Sequence, residues 1–211
     1  MRVVTGEAKG RKLKTPKITG TRPIMDRVKT ALFDILSTQV EGIRFLDLFA
    51  GTGSVGIEAL SRGAQHATFI EMNAKILKLV RENLQITQLA DRAETLHSDA
   101  FKFLKSYQVV EYSQNHTLAL SSIKSQQRAY DIIYVAPPQY EELAARALAL
   151  IDSSTLMAKE GLVIVQIHPK ERSGVVAIEY QHLVLTDERR YGSTLLMFYR
   201  HQSKKGEVED V

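Results

Sequence analysis

The feature that most constrains this chain is a glycine-rich turn that directly follows an apolar segment with one acidic residue. Residues 45–56 read FLDLFAGTGSVG, so an apolar strand containing Asp47 leads into the pattern G-x-G-x-x-G, and a helix-compatible segment follows at 57–60. Glycines permit a tight turn and the close approach of a ligand to the backbone, and a helix begins with unpaired N–H groups. The pattern predicts a nucleotide-type cofactor site, while glycine-rich turns also occur for purely structural reasons.

Two acidic residues indicate which cofactor this turn would hold. A dinucleotide places an anionic pyrophosphate on the turn, where the nearby carboxylate of Asp47 would be unfavourable. S-Adenosylmethionine has no phosphate and carries an ammonium group and a sulfonium centre, both of which favour a nearby anion. Glu71 ends the next apolar segment and can accept both ribose hydroxyls, although NAD sites use an acid at a similar spacing. Each acid alone could be a solvated strand end, but together with the loop they favour a cofactor site, and Asp47 favours S-adenosylmethionine over a dinucleotide.

Composition excludes several classes of protein. A length of 211 residues suits one α/β domain with an appendage, and a composition that is 44% hydrophobic and 25% charged is typical of a globular protein. No apolar run is long enough to span a bilayer and no signal-peptide pattern is present, so we expect a cytoplasmic protein without a membrane partner. The absence of cysteine excludes disulfides and thiol catalysis, and the six histidines lack metal-ligand spacing, so no metal site is predicted.

Positive charge is concentrated at the start of the chain. Residues 1–30 contain nine Lys and Arg residues against two acidic residues, a net charge of +7, whereas the whole chain carries +4 and the remainder therefore −3. A basic arm on a mildly acidic body predicts a polyanionic partner, the alternative being a solvated basic terminus. The candidate phosphate contacts are the lysines and arginines of residues 9–29, among them Lys9, Arg11, Lys12, Lys14, Arg22, Arg27 and Lys29.

Strand-like and helix-like segments alternate from residue 43 onward. This alternation implies an α/β fold with a largely parallel, doubly wound sheet, to which a final hairpin adds antiparallel pairing at one end. The predicted strands are 43–49, 67–70, 93–97, 131–135, 161–167, 182–185 and 194–199. The predicted helices are 54–62, 73–86, a short one from Ala100, and 141–151.

The chain divides into three predicted parts. Residues 1–24 form a basic extension with a small hairpin between 2–4 and 11–13, residues 25–203 form the main domain, and 204–211 form a flexible tail. The main domain begins with a helix at which Asp26 can serve as N-cap or as a first-turn acid. Within it, the polar and poorly periodic stretch from Tyr112 to Arg128 is predicted to be a long surface loop.

Two further clusters fall at the carboxyl ends of predicted strands, where a doubly wound sheet binds its ligands. The first centres on Asp99, which can accept the adenine amino group or can cap the helix that follows. The second, at 134–140, contains Pro137 and Pro138, which remove two N–H donors and leave carbonyl oxygens free to face a pocket. Tyr140 offers a stacking face for a base, so an amino group entering there would meet acceptors beside an aromatic platform.

Together these motifs resemble the RsmD family of class I S-adenosylmethionine-dependent methyltransferases, which have a Rossmann-like fold. The motifs that carry the resemblance lie at 9–13, 21–33, 47–64 and 191–192, and it covers nearly the whole chain apart from the loop and the tail. The resemblance implies methylation of N2 of a guanine in small-subunit (16S) ribosomal RNA. The partner would be the RNA itself or a small-subunit assembly particle, and we expect a monomer.

The resemblance also implies a role for each candidate site residue. Those that would hold the cofactor are Asp47, Phe49, Gly51, Gly53, Ser54, Glu71, Met72, Asp99 and Ala100. Those that would form the base pocket and carry catalysis are Ala136, Pro137, Pro138, Gln139 and Tyr140. The basic residues of the extension would bind RNA.

One position departs from the family pattern. The motif at 136–140 normally begins with Asp or Asn, followed by Pro-Pro and an aromatic residue, whereas here Ala136 stands first and Gln139 displaces the aromatic residue to Tyr140. Alignment of the guanine amine would then depend on the Pro137 carbonyl, on stacking by Tyr140 and on the Gln139 amide. The loss of one hydrogen bond at this point could lower the rate about tenfold to a thousandfold. Two rivals therefore stay open: an RNA-binding assembly factor with a degenerate site, and a methyltransferase acting on amines of DNA.

Overall fold

A seven-stranded sheet forms the centre of the protein, as the alternation of strands and helices predicts. The computed structural model describes residues 1–16, 24–108, 129–139 and 142–202. The strands are β1 (Arg44–Asp47), β2 (His66–Glu71), β3 (Ala93–His97), β4 (Tyr130–Val135), β5 (Met157–Ile167), β6 (Leu183–Tyr191) and β7 (Thr194–His201). The helices are α1 (Asp26–Leu36), α2 (Ser54–Ser61), α3 (Ala74–Thr87), α4 (Ala100–Lys105), α5 (Leu143–Asp152) and α6 (Arg172–Val176), with short 3-10 turns at 37–40, 90–92 and 169–171.

The sheet has the order β3-β2-β1-β4-β5-β7-β6. The first five strands in this order pair in parallel, and β7 pairs antiparallel with both β5 and β6. Both the parallel sheet and the antiparallel C-terminal hairpin are thereby confirmed. Because the strand order reverses between β1 and β4, the crevice expected at that switch point opens at the carboxyl ends of these strands.

Apolar side chains cover both faces of the sheet. On one face, α1, α2 and α3 pack against a cluster that includes Phe45, Phe69 and Tyr134. On the other face, α4, α5 and α6 pack against a second cluster that includes Tyr130 and Val163. Parallel strands buried on both faces read as continuous apolar runs, which is why the sequence pattern locates them well.

Several boundaries differ from the predicted ones. Helix α1 begins at Asp26 with Met25 as its N-cap, so Asp26 is a first-turn acid rather than the cap. Strand β5 begins four residues earlier than expected, and its pairing with β4 shifts register between Tyr130 and Ile132. Strand β6 continues to Tyr191 instead of ending at residue 185. Its second half is a run of charged residues, which lacks the alternation of apolar and polar residues by which a half-buried strand is predicted.

Strand β6 is an edge of the sheet. Four consecutive charged residues, Asp187 to Arg190, occupy its second half, and its register with β7 shifts between Leu185 and Asp187. Edge strands of soluble proteins commonly carry charges and irregular pairing of this kind. The polar sequence of this strand therefore reflects its position in the sheet.

The N-terminal segment packs onto the main domain. The predicted hairpin is reduced to a single antiparallel bridge between Arg2 and Lys12. Val3, Ala8 and Leu13 are buried in the same apolar cluster as α1, α2 and α3. Burial of three apolar side chains fixes this arm, residues 1–16, against the helices of that face.

The buried carboxylate of Glu58, on α2, holds the arm in place. Its Oε2 accepts the Val4 N–H at 2.8 Å and lies 3.1 Å from Lys29 Nζ. Its Oε1 accepts the Thr5 N–H at 2.9 Å and the Arg62 Nε–H at 3.0 Å. The side chains of Glu58 and Lys29 are both 0% exposed. Lys29 is therefore unable to contact a phosphate, and its inclusion among the phosphate contacts is wrong.

No helix among the described residues is long and apolar enough to cross a bilayer. In the same part of the chain, no group of His, Asp and Glu side chains is arranged to hold a metal ion. The predicted surface loop and tail, together with Arg22 and Tyr140, lie outside the described residues.

Candidate cofactor and base-binding site

The predicted site segments meet at one edge of the sheet. The glycine-rich loop follows β1, Glu71 ends β2, Asp99 follows β3, and residues 136–139 follow β4. These four strands are neighbours and parallel, so their carboxyl ends share an edge. The sequence therefore placed Glu71, Asp99, the glycine loop and the Pro-Pro segment at the same edge, as the structure has them.

Glu71 links β2 to the glycine loop. One carboxylate oxygen accepts the Gly51 N–H at 3.0 Å, and the other accepts the N–H of Asn73 at 2.8 Å. Each carboxylate oxygen has two acceptor sites, so these bonds leave acceptor capacity for hydroxyl groups of a ligand. Glu71 is half-buried and can combine both roles.

Asp47 lies beneath the loop and is buried. Its Oδ2 accepts the Gly56 N–H at 3.2 Å, whereas Oδ1 has no hydrogen-bond partner in the described part of the chain. Burial raises the pKa of the Asp47 carboxyl to about 7; the Gly56 N–H opposes the shift and the charge of Glu71 adds to it. A buried carboxylate with a free oxygen is costly unless a cation or donor reaches it. The ammonium group of S-adenosylmethionine meets this requirement and a pyrophosphate does not.

Two glycines of the loop serve different purposes. A Cβ atom at Gly56 would lie 2.4 Å from the ring of Phe69, so this glycine allows α2 to pack closely on β2. A Cβ atom at Gly51 would meet only the Phe49 carbonyl oxygen, at 4.0 Å. The open side of the loop is therefore at Gly51, where a ligand can approach the backbone.

The adenine side of the predicted site is formed by residues after β2 and β3. Asp99 is the N-cap of α4, and its Oδ1 accepts the Lys102 N–H at 2.9 Å. This cap uses one oxygen, so capping and contact with an adenine amino group are compatible. Met72 is 70% exposed and offers an apolar surface beside Glu71. Phe49 packs edge-on against Phe101 with ring centroids 6.0 Å apart.

The remaining predicted cofactor residues lie close to the loop. Ser54 is the first residue of α2 and is buried, and Gly53 precedes it as the N-cap. Ala100 is the first residue of α4 and is also buried. The structure thus brings the backbones of all nine predicted cofactor residues to the carboxyl-end edge.

The chain is similar to several known proteins. Residues 1–200 match the protein family described as Conserved hypothetical protein 95. The chain belongs to this family. YlbH of Bacillus subtilis is 32% identical over 200 residues, which are 95% of this chain and 98% of YlbH.

Two further matches connect the family with the predicted resemblance. Ribosomal RNA small subunit methyltransferase D of Haemophilus influenzae is 32% identical over 167 residues, 79% of this chain and 78% of that protein. The solved structure of yhhF from Escherichia coli has a TM-score of 0.76 at 28% identity and covers 97% of this chain and 99% of that one. Membership of the RsmD family is confirmed, and the chain is a methyltransferase with a Rossmann-like fold.

In this RsmD-family protein the segment after β4 forms the candidate base pocket. Ala136 packs against the apolar cluster on the α1–α3 face, Pro137 is buried and Pro138 is exposed. Gln139 is half-buried. None of these four residues has a charged side chain, so this segment offers a ligand backbone carbonyl groups and one amide.

Sequence reasoning missed an amide beside this segment. The hydroxyl of Tyr134 donates to Gln166 Oε1 at 2.7 Å, and burial raises the pKa of Tyr134 well above its usual range, with a further contribution from the charge of Asp47. Gln166 is half-buried near the end of β5. The signal that could have found it is a single polar residue in the otherwise apolar run LVIVQI.

Sequence reasoning also missed the link between the arm and the glycine loop. Asn83, on α3 and fully buried, donates through Nδ2 to the Thr52 carbonyl at 3.0 Å and to the Lys14 carbonyl at 3.1 Å. Its Oδ1 accepts the Lys14 N–H at 2.8 Å. One side chain therefore joins the arm to the middle of the cofactor loop.

The predicted RNA-binding residues fall into two groups. Lys9, Lys12 and Arg27 are exposed. Arg11 instead turns toward the end of α3, where it donates to the Ile86 carbonyl and the Gln88 side chain, and Lys14 forms an exposed ion pair with Glu82 at 2.8 Å. The first group is therefore better placed to bind phosphate than the second.

Proposed function

We propose that the protein transfers a methyl group from S-adenosylmethionine to the exocyclic N2 amine of a guanine in small-subunit ribosomal RNA. The observation that carries the proposal is the arrangement at the carboxyl-end edge. There, a buried carboxylate with one unpartnered oxygen lies beneath a glycine loop, and a Pro-Pro segment follows the neighbouring strand. The names of the relatives add the substrate class, since the Haemophilus influenzae protein is a small-subunit rRNA methyltransferase.

Different residues at this edge would bind different parts of the cofactor. Asp47 would bind the ammonium group, Glu71 the ribose hydroxyls and Asp99 the adenine amino group. When bound, S-adenosylmethionine supplies an electrophilic methyl group, which passes to the amine nitrogen as the C–S bond breaks and its electron pair stays on sulfur. The chain's own contribution is to hold the amine in line, with the proton released to water, because orientation supplies much of the acceleration of such a transfer.

The arm, the start of α1 and the base pocket would hold the RNA. The exposed cations Lys9, Lys12 and Arg27 would neutralise phosphates, so binding should weaken as salt concentration rises. Residues 136–140 would receive the base, with Tyr140 as its stacking platform. We further propose that the protein acts in the cytoplasm as a monomer, on RNA or on an assembly particle.

Binding of the product cofactor is a first test. Saturating S-adenosylhomocysteine is expected to raise the melting temperature and NAD is not. Only S-adenosylhomocysteine has an ammonium group that can bind the Asp47 carboxylate, whereas NAD would place a pyrophosphate beside it. A shift with NAD alone would indicate an oxidoreductase and overturn the proposal.

Methyl transfer is the second test. Methyl-labelled cofactor is incubated with undermodified small-subunit RNA, with assembly particles and with duplex DNA, and mass spectrometry maps the modified nucleotide. Label on a guanine amine of the RNA is the expected result. Binding of RNA and cofactor without transfer of label would favour an assembly factor. Ala136 is the reason to test this alternative, because it stands where the family has Asp or Asn. Label on DNA alone would favour a DNA methyltransferase.

A further inference from the structure

A methyl-accepting amine needs a hydrogen-bond acceptor that holds one N–H and turns the nitrogen lone pair toward the methyl group. Residue 136, at the end of β4, contributes only a methyl group to the pocket. Pro137 and Pro138 have no polar side-chain atom. A side-chain acceptor must therefore come from Gln139 or from another strand.

The register of the sheet brings Gln166 beside Ala136. Strands β4 and β5 pair in parallel up to Val135 and Val165. One residue further along each strand stand Ala136 and Gln166, and neighbouring strands are about 4.8 Å apart. The two positions are therefore adjacent, at the edge of the sheet that carries the cofactor loop.

The two side chains also share a face of the sheet. Tyr134 and Ile164 lie in the apolar cluster on the α1–α3 face, and Ala136 packs against the same cluster. Because side chains alternate along a strand, Gln166 projects to that face as well. Its hydrogen bond with the Tyr134 hydroxyl, on the same face, confirms this direction.

The hydrogen bond with Tyr134 fixes the amide without exhausting it. An amide oxygen has two lone pairs, and the Tyr134 hydroxyl occupies one of them. The Tyr134 ring is buried and stacks on Phe45 with centroids 6.5 Å apart, so the hydroxyl is held in place. The Gln166 oxygen is thus a pre-positioned acceptor, and among the described residues only Tyr134 donates to it.

We propose that Gln166 binds the substrate amine, its amide oxygen accepting the exocyclic N–H in the place where residue 136 offers no acceptor. Tyr134 is then a positioning residue that orients this amide. The inference rests on the proposed function, transfer to an amine, and adds to it the residue that aligns the nucleophile.

The test compares Gln166→Leu with wild type in single-turnover methyl transfer to undermodified small-subunit RNA. We expect a rate about 10- to 100-fold lower, as for the loss of one well-aligned hydrogen bond in the transition state. The affinity for S-adenosylhomocysteine, measured by calorimetry, should stay within twofold, because the role assigned to Gln166 is to bind the substrate amine. The control Gln65→Leu makes the same exchange at an exposed position just before β2, at the amino ends of the parallel strands. It is expected to leave the rate unchanged.

Rescue makes the role specific. Adding Ala136→Asp to Gln166→Leu supplies an acceptor on the adjacent strand and is expected to restore at least about tenfold of the lost rate. Tyr134→Phe, which removes only the hydroxyl, should lower the rate about 3- to 10-fold, and this variant decides the matter if Gln166→Leu does not fold.

Distinct outcomes overturn distinct claims. A Gln166→Leu rate within twofold of wild type, or a large loss of cofactor affinity in that variant, overturns the role of Gln166 alone. If Gln166→Leu does not fold, an unchanged Tyr134→Phe rate does the same. Wild-type protein that binds S-adenosylhomocysteine but methylates no nucleic acid overturns the proposed function, and the role of Gln166 with it.

Discussion

The buried ion pair between Glu58 and Lys29 gives a quantitative prediction. Glu58→Gln keeps the shape of the side chain but removes its charge, which leaves the Lys29 ammonium 0% exposed and without its anion. Removing one partner of a buried pair typically costs about 3–5 kcal/mol. Glutamine has only one side-chain oxygen, so either the Val4 N–H or the Thr5 N–H also loses its acceptor. The loss of stability should therefore lie in the upper half of this range.

A matched control separates burial from charge. Glu82→Gln removes the anion of a pair of similar length, Lys14–Glu82 at 2.8 Å, but its two side chains are 56% and 37% exposed. Solvent screens exposed pairs, which contribute little to stability, so this variant should be close to wild type. Adding Lys29→Met to Glu58→Gln removes the stranded charge and should recover at least about 2 kcal/mol.

Urea unfolding followed by circular dichroism measures these differences. For Glu58→Gln the midpoint is expected about 1–2 M below that of wild type. Limited proteolysis should also cut the arm of this variant faster, because the carboxylate holds two of its N–H groups. Equal stability of Glu58→Gln and Glu82→Gln would refute the reasoning, since burial is the main difference between the two pairs.

Three further predictions concern Asp47, Asn83 and Asp152. Since burial raises the pKa of Asp47 to about 7 and an ammonium ligand needs the carboxylate form, affinity for S-adenosylhomocysteine should rise about tenfold from pH 6 to pH 8. Without ligand the same raised pKa makes folding less favourable as pH rises from about 4 to about 7; Asp47→Asn should remove both dependences, and a pH-independent wild-type affinity would contradict the assignment. Asn83→Ala removes the hydrogen bond to Thr52 and should lower the affinity for S-adenosylhomocysteine, measured by calorimetry, about fivefold. Gln85→Ala, at an exposed position of the same helix, should leave this affinity unchanged. Asp152 accepts three successive N–H groups of residues 181–183 at 2.8 Å, so Asp152→Ala should lower the free energy of unfolding by about 2–4 kcal/mol in urea, and a loss under 1 kcal/mol would count against it.

The cofactor side of the site could be predicted because its signals are local. The loop, Asp47 and Glu71 lie within 25 residues, and the parallel order of their strands follows from the alternation of strands and helices. The cap at Asp99 was foreseen as one of two roles, and the structure shows that it uses one carboxylate oxygen only.

The rest depends on contacts between residues far apart in the chain. Asn83 meets Lys14 across 69 residues, and Gln166 meets Tyr134 across 32. Lys29 was counted with the phosphate contacts because composition cannot show that Glu58 would bury it. Likewise, the sequence cannot tell that the charged run after Leu185 continues a strand, since only its place at the edge makes those charges acceptable.

The edge strand β6 has a consequence for how copies of this protein meet. A regular outermost strand exposes backbone N–H and C=O groups in register, and a second molecule can extend the sheet through them. Here the slip in register and four adjacent charges interrupt that template. Pairing of a second molecule with strand β6 is therefore disfavoured. The exposed turn at Gly192, which lies beside the carboxyl end of β5, then stays accessible to the RNA of the proposed function.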